Sequence, residues 1–303
     1  MAQTKLLWQS KLVLLLVLPF AGADVVLETH WWAVQAPPVA IWTVGLSLLL
    51  GLATWKLHAA TPWGAFAGTA ITAWLMFSTV ALPYQPWHTA LMPVLAVAAL
   101  AFLSTLLGRR KKELLGTAES PHGRSAAQVS ANLGMAAIAC SSFVQSWVID
   151  SPLFASTSAW FARAANAPVL IFAVGLAALA EAAADTASSE LGQVFGGRPR
   201  MITTLRQVDP GDDGAMSLAG TLAGVAAAAV VAAAGTLAFQ GGSVMFWISC
   251  AGGVFGLLFD SLLGATLEQR GWLNNDAVNF LSTGSAAAFA LTLLAFLPLF
   301  VKG

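Results

Sequence analysis

Eight long apolar runs divide the chain, at residues 39–56, 59–83, 87–108, 126–149, 167–190, 216–239, 243–266 and 277–301. Each approaches or exceeds the roughly 20 residues an α-helix needs to cross the hydrocarbon core of a bilayer. The longer polar connections fall at 109–125, 150–166, 191–215 and 267–276. The pattern predicts an all-α, polytopic transmembrane bundle. One more apolar stretch, "KLVLLLVLPFAGA", lies within residues 1–38. Its lysine, short apolar core and A-x-A-like end resemble a signal peptide. Extended through "DVVLE", it reads equally as a helix. A retained helix is the expectation, because a multispanning chain needs no cleaved signal. The predicted count is therefore about eight to nine helices, with residues 39–303 as the transmembrane domain.

Composition agrees with this class. Hydrophobic residues make up 58% and charged residues 9%, against about 25% charged in a soluble domain. Many runs are rich in alanine and glycine, above all "GTLAGVAAAAVVAAAG" at 220–235. Small residues let helices approach closely in lipid. Cys140 and Cys250 sit inside apolar runs and read as packing residues. The four histidines make no HxxxH or HExxH pair, which argues against a zinc site. Net charge is zero, and no nucleic-acid partner is expected.

The distribution of charge is more informative. With the N-terminus inside, Lys5, Lys11, Lys56, Arg109, Arg110, Lys111, Lys112, Arg124, Arg198, Arg200, Arg206 and Arg270 all become cytoplasmic. Only Arg163 and Lys302, of 14 basic residues, fall outside. The positive-inside rule therefore sets the orientation. An integral protein of the cytoplasmic membrane is expected.

Acids inside apolar runs are the candidates for chemistry, because charge in a membrane segment is costly. Glu181 and Asp185 are one helical turn apart and share a face. Ser188 and Ser189 continue it, and Glu190 follows. Asp260, with Ser261 and Gly264, occupies the same cytoplasmic half of another run. Acids on two helices at one depth suggest a shared divalent cation, since Mg²⁺ commonly uses one or two carboxylates plus substrate phosphates. A carboxylate–arginine pair and a proton relay are the other uses.

Three polar stretches converge on the same side. "RPRMITTLRQVDPGDDGAMSLAGT" offers Arg206 beside Thr203 and Thr204, then Pro210, Gly211 and Gly214, then Ser217 at a helix start. Arginine grips phosphate through paired hydrogen bonds. A glycine-containing turn before a helix exposes amides to an anion. "SPHGRSAAQVSANLG" offers Gly123 and Arg124, then Gln128 and Asn132 as a polar stripe. "GWLNNDAVNFLST" places Asn275 and Asn279 at the last helix entrance. Acids for a metal, arginines for phosphate and amides for a base or sugar suggest a nucleotide or diphosphate site. No GxxxxGK[ST] sequence occurs, so a P-loop is excluded.

The motifs "GRSAAQVSANLG", "ADTASSELG", "PRMITT", "DPGDDGAMSLAGT", "DSLLGATLEQRG" and "LNNDAVNFLST" resemble, in this order, the phytyl-phosphate kinase family. That is an integral membrane family long labelled a domain of unknown function. The resemblance runs from about residue 59 to 295. It implies phosphoryl transfer from a nucleoside triphosphate to a prenyl monophosphate such as phytyl, farnesyl or geranylgeranyl phosphate. A more distant likeness to phosphatidate cytidylyltransferases and CTP-dependent polyprenol kinases favours CTP as donor. Asp212, Ser188 and Glu268 depart from the family pattern, where Thr, a Trp–Ala-preceded Ser and Gln are usual.

The resulting expectation is a membrane prenyl-phosphate kinase with Mg²⁺ on Asp185 and Asp260, assisted by Glu190 or Glu181. Arg124 and Arg206 would hold phosphates. The rival readings are a cytidylyltransferase making a CDP-lipid and an ion-coupled transporter.

Overall fold

The computed structural model describes residues 7–150 and 167–300. Lys5, Arg163, Lys302 and nearly all of the 150–166 connection lie outside the described residues. Among these residues, eleven helices carry the fold: α1 (Leu7–Gln35), α2 (Pro37–Lys56), α3 (Pro62–Ser78), α4 (Leu91–Leu106), α5 (Arg109–Leu115), α6 (Ala126–Cys140), α7 (Ser142–Asp150), α8 (Phe172–Phe195), α9 (Leu218–Phe239), α10 (Gly242–Leu263) and α11 (Asn275–Phe300); a helical turn at Ala167–Leu170 leads into α8. Among the described residues, the strands are β1 (Arg200–Met201) and β2 (Ala215–Met216), paired antiparallel with Arg200 opposite Met216. The all-α expectation holds.

Helix α8 is the axis of the bundle, and α4, α6, α9, α10 and α11 pack around it. Its sequence explains the arrangement. Ala173, Ala177, Ala180 and Ala184 are buried, and the facing helices present glycine. A Cβ on Gly253 of α10 would press on the Ala180 and Glu181 backbone at 3.1 Å. One on Gly224 of α9 would meet the Ala184 carbonyl at 2.9 Å. Small residues on both sides bring the backbones together. A helix sheathed in protein does not face lipid, so α8 tolerates Glu181, Asp185 and Glu190.

Length and composition of the helices give a narrower count of spans. Among the described residues, five helices (α1, α2, α9, α10 with its extension, and α11) are long and apolar enough to cross a membrane, or up to seven if two bent pairs each form one span. Those pairs are α4–α5, bent by 64°, and α6–α7, bent by 57°. The expected eight or nine included α3, which is only 17 residues long, and α8, whose acids and serines lower its hydropathy.

α1, α2 and α3 form a second layer against α6. Val17 of α1 sits where a Cβ on Gly134 of α6 would be. Gln9 donates to the Trp272 carbonyl at 2.8 Å, and Ser10 donates to Asp276 Oδ2 at 2.5 Å. α3 and α4 meet at a corner, where the Ala90 amide donates to Thr79 Oγ1 at 2.9 Å. From there they diverge. α3 leans on α2 and α6, and α4 leans on α8 and α9.

Candidate functional site

The sequence-predicted polar residues gather at one end of the bundle, beneath the β1–β2 hairpin. A cavity of about 1190 Å³, open mouth included, is lined there by Arg124, Gln128, Asn132, Asp185, Ser188, Glu190, Pro210, Gly211, Gly214, Ser217, Asp260, Ser261, Gly264, Asn275 and Asn279. The basic end of the molecule is the same end. The α1 start is tied to residues 272–276, the α3 entrance is bonded to Arg124, and Lys111 donates to the Val194 carbonyl at 2.5 Å.

Local chemistry fixes each wall. The Arg124 amide donates to the Ala59 carbonyl and its own carbonyl accepts from the Thr61 amide, both at 3.0 Å. This clamps the strap before α6 onto the α2–α3 turn. Gly123, at φ +78°, makes the clamp possible, since a Cβ there would lie 2.5 Å from the His58–Ala60 backbone. The Arg124 guanidinium then reaches α8 and donates to Thr186 Oγ1 at 3.2 Å. Ser125 and Gln128 form a capping box at the α6 N-terminus. Asn132 donates to the Gln128 carbonyl at 2.8 Å. Ser217 caps α9, accepting from the Gly220 amide at 3.1 Å. Gly214 packs against the turn at Gly264 and Ala265, which seats the hairpin over the cavity. Gln128, Asn132 and Ser217 therefore build the wall with the same groups that would contact a ligand.

Several expected residues are placed elsewhere. Arg206, Thr203 and Thr204 lie exposed on the hairpin, outside the cavity lining. Gly123 lines a neighbouring cavity instead. Glu181 is 1% exposed and lies behind the cavity wall, next to Asp260 and Asp185. The four acids named for a metal do not form one ligand set. Among the described residues, no group of three or more His, Cys, Asp or Glu side chains is placed to hold an ion. Glu190 is already engaged by Lys112, whose Nζ also donates to the Ser104 carbonyl at 2.9 Å and the Thr105 carbonyl at 2.8 Å.

Lys112 is 1% exposed, whereas in sequence it reads as one of four topogenic bases in "RRKK". Glu119 and Asp213, also in the lining, carry no motif of their own in the sequence. Glu119 precedes the Gly123–Arg124 motif by a few residues, which was the available signal.

The charge balance of the cavity is uneven. Glu119, Asp185, Glu190, Asp212, Asp213, Asp260 and Glu268 line it, against Arg124 as the one lining base among the described residues. On the hairpin, partial burial and then the neighbouring Asp212 hold the Asp213 carboxyl above the ordinary aspartate range. Asp260 Oδ2 and Glu181 Oε1 are buried with no hydrogen-bond partner. An acidic cavity with an unpartnered carboxylate oxygen fits a cation. Asp185 and Asp260 both line this cavity, from separate helices.

A second cavity, of about 1130 Å³ with its mouth, adjoins the first. Glu119, Arg124 and Asn132 line both. Its other walls are mainly apolar and come from α2, α3, α4 and α6.

Comparison with known proteins places these features in a family. The model for "Integral membrane protein DUF92" matches residues 45–287. An uncharacterized membrane protein of Methanocaldococcus jannaschii is 44% identical over 36% of this chain and 45% of its own length. An uncharacterized membrane protein of Synechocystis sp. is 27% identical over 78% of this chain and 93% of its own. Protein VTE6, chloroplastic, of Arabidopsis thaliana is 33% identical over 37% of this chain and 35% of its own. The chain thus spans less than half of the first and third of these relatives. No solved structure matches. The family match covers most of the chain, and the protein belongs to the integral membrane protein family DUF92.

Proposed function

We propose that the protein is a nucleoside-triphosphate-dependent prenyl-phosphate kinase of the cytoplasmic membrane. The observation that carries this reading is the joint opening of Asp185 and Asp260, from separate helices, into one acidic cavity that also holds Arg124. A nucleoside triphosphate is strongly anionic, so its entry here requires cations to offset both its own charge and the lining carboxylates. Asp185 and Asp260 would hold Mg²⁺, which supplies charge neutralisation between donor and acceptor phosphates. Arg124 orients a phosphate and is itself held by the α2–α3 turn. Lys112 keeps the Glu190 carboxylate compensated beside the phosphates.

An oxygen of the prenyl monophosphate attacks the γ-phosphorus. The bond from that phosphorus to the β-bridging oxygen breaks, and nucleoside diphosphate leaves. The nucleophile is already anionic, so no strong base is needed. Positioning and electrostatics carry the rate. The motif resemblance supports CTP as donor. The basic end of the bundle supports a cytoplasmic site by the positive-inside rule.

The test is a product assay on the full chain in detergent. Phytyl, farnesyl and geranylgeranyl monophosphates are each offered with Mg²⁺ and CTP, GTP, UTP or ATP. Prenyl diphosphate with nucleoside diphosphate is expected. Nucleotidyl lipid with pyrophosphate would move the protein to the cytidylyltransferases. No turnover with any pair would overturn both enzyme readings and leave a transporter.

A further inference from the structure

The helices before residue 110 offer no chemistry in the sequence, yet they enclose the apolar cavity. We infer that this cleft between α3 and α4 is the binding site for the single hydrocarbon tail of a lipid phosphate, with Arg124 at the junction holding the head. The inference rests on the kinase reading of the polar cavity and adds the location of the acceptor lipid and the residues that set its length.

Three observations support it. First, the two cavities are continuous in their lining. Glu119, Arg124 and Asn132 belong to both, so a molecule with an anionic head and an apolar body meets matching chemistry on each side of Arg124. Second, the cleft has a defined direction. Gly64 lies beside the Arg124 backbone, while Gly68 and Thr72 line the cleft at successive turns of α3 and Val94 lines it from α4. At 1.5 Å per residue, Thr72 is about 12 Å from the head end. Third, the lining ends at Thr72 of α3 and Val94 of α4, short of the contact that joins the two helices. Beyond Thr72 and Val94, both buried, the Ala90–Thr79 hydrogen bond joins the two helices. A cleft that ends between two joined helices accepts one chain more readily than the two of a diacyl lipid. Tail length should then be limited by side-chain volume at Gly68, Thr72 and Val94.

Gly68 is the position to perturb. A Cβ there would meet only Val129 Cγ1, at 3.7 Å, so a larger side chain fits the helix and projects toward the cleft. The experiment measures binding of radiolabelled geranylgeranyl monophosphate and dimethylallyl monophosphate to the detergent-solubilised full chain, without nucleotide. Gly68→Leu is compared with wild type. Thermal unfolding of both proteins reports whether the variant is folded. The expected result is at least a tenfold loss of geranylgeranyl monophosphate binding with dimethylallyl monophosphate binding within twofold of wild type. Thr72→Leu, at the end of the lining, should show a smaller loss for the long tail and none for the short one.

Equal effects on both probes, or none on either in a folded variant, would overturn the tail site. Displacement of the prenyl probe by two-chain phosphatidate as effectively as by unlabelled geranylgeranyl monophosphate would overturn the single-chain assignment. Because nucleotide is absent, a selective Gly68→Leu effect upholds the tail site even if the protein proves not to be a kinase. Turnover with unchanged tail selectivity refutes the tail site and leaves the kinase reading intact.

Discussion

Removing the Lys112 ammonium should be among the most damaging single changes outside the acids. The short helix α5 carries two ion pairs in contrasting surroundings. Arg109 and Glu113 pair at 3.0 Å with side chains 42% and 56% exposed, whereas Lys112 and Glu190 pair with side chains 1% and 10% exposed. Breaking a buried pair by deleting one partner costs about 3–5 kcal/mol, because the other charge stays buried without compensation. The Ser104 and Thr105 carbonyls at the α4 terminus also lose their donor, at about 1 kcal/mol each where water does not replace it. These contributions share one network and do not simply add. Lys112→Met should therefore destabilise by about 3–5 kcal/mol. Arg109→Ala should cost at most about 1 kcal/mol. Lys112→Met with Glu190→Gln should recover part of the loss, since it leaves no isolated charge. Denaturant unfolding in mixed micelles, followed by tryptophan fluorescence, measures all three. Equal stability of Lys112→Met and Arg109→Ala would refute the claim that this pair latches α5 and α4 to α8.

Other consequences are open to direct measurement. Asp185→Asn and Asp260→Asn should each lower phosphoryl transfer by at least about 10²-fold, the usual scale for losing one preorganised charge-stabilising group, while the melting curve is retained. Chelation of Mg²⁺ should abolish turnover and excess Mg²⁺ should restore it; undiminished turnover in the chelator would contradict the metal role. Gly214→Val should lower both stability and activity, because φ is +77° and a Cβ would collide with Ala265. Gly197→Ala, also at positive φ but with open space around it, should cost only the backbone strain, about 1–2 kcal/mol. Folding raises the Asp213 pKa, so the neutral form is the one the fold favours. Its stabilising contribution is present at low pH and is lost as pH rises through the folded value. Asp213→Asn should therefore raise Tm at neutral pH, with the difference vanishing below about pH 3.9.

Much of the polar cavity is legible in sequence because helical spacing is local. Asp185 and Ser188 fall on one face of α8, and Asp260 occupies the matching end of α10, so their convergence needs only the threading order. The helix start at Ser217 is legible for the same reason. Arg206 is different. Nothing in "TTLRQV" tells which way a hairpin arm turns, and the arm turns outward. Lys112 is illegible among four adjacent bases. Its burial depends on the left-handed Gly108 and Gly116, at φ +65° and +72°, which bound α5, and on the 64° turn of α5 from the α4 axis. The break at Ser141, where ψ is 139°, interrupts an apolar run that reads as continuous from 126 to 149. The apolar cleft is the least legible feature. Its walls come from four helices, and its existence depends on the divergence of α3 from α4.

The most direct test of the account follows the label from nucleotide to lipid. Purified protein, Mg²⁺ and geranylgeranyl monophosphate are incubated in parallel with γ-labelled and α-labelled CTP, and the lipid phase is extracted. Label is expected in the lipid from the γ-labelled donor alone, carried on a diphosphate, and is expected to be lost in Asp185→Asn. Lipid label from the α position would contradict the kinase reading.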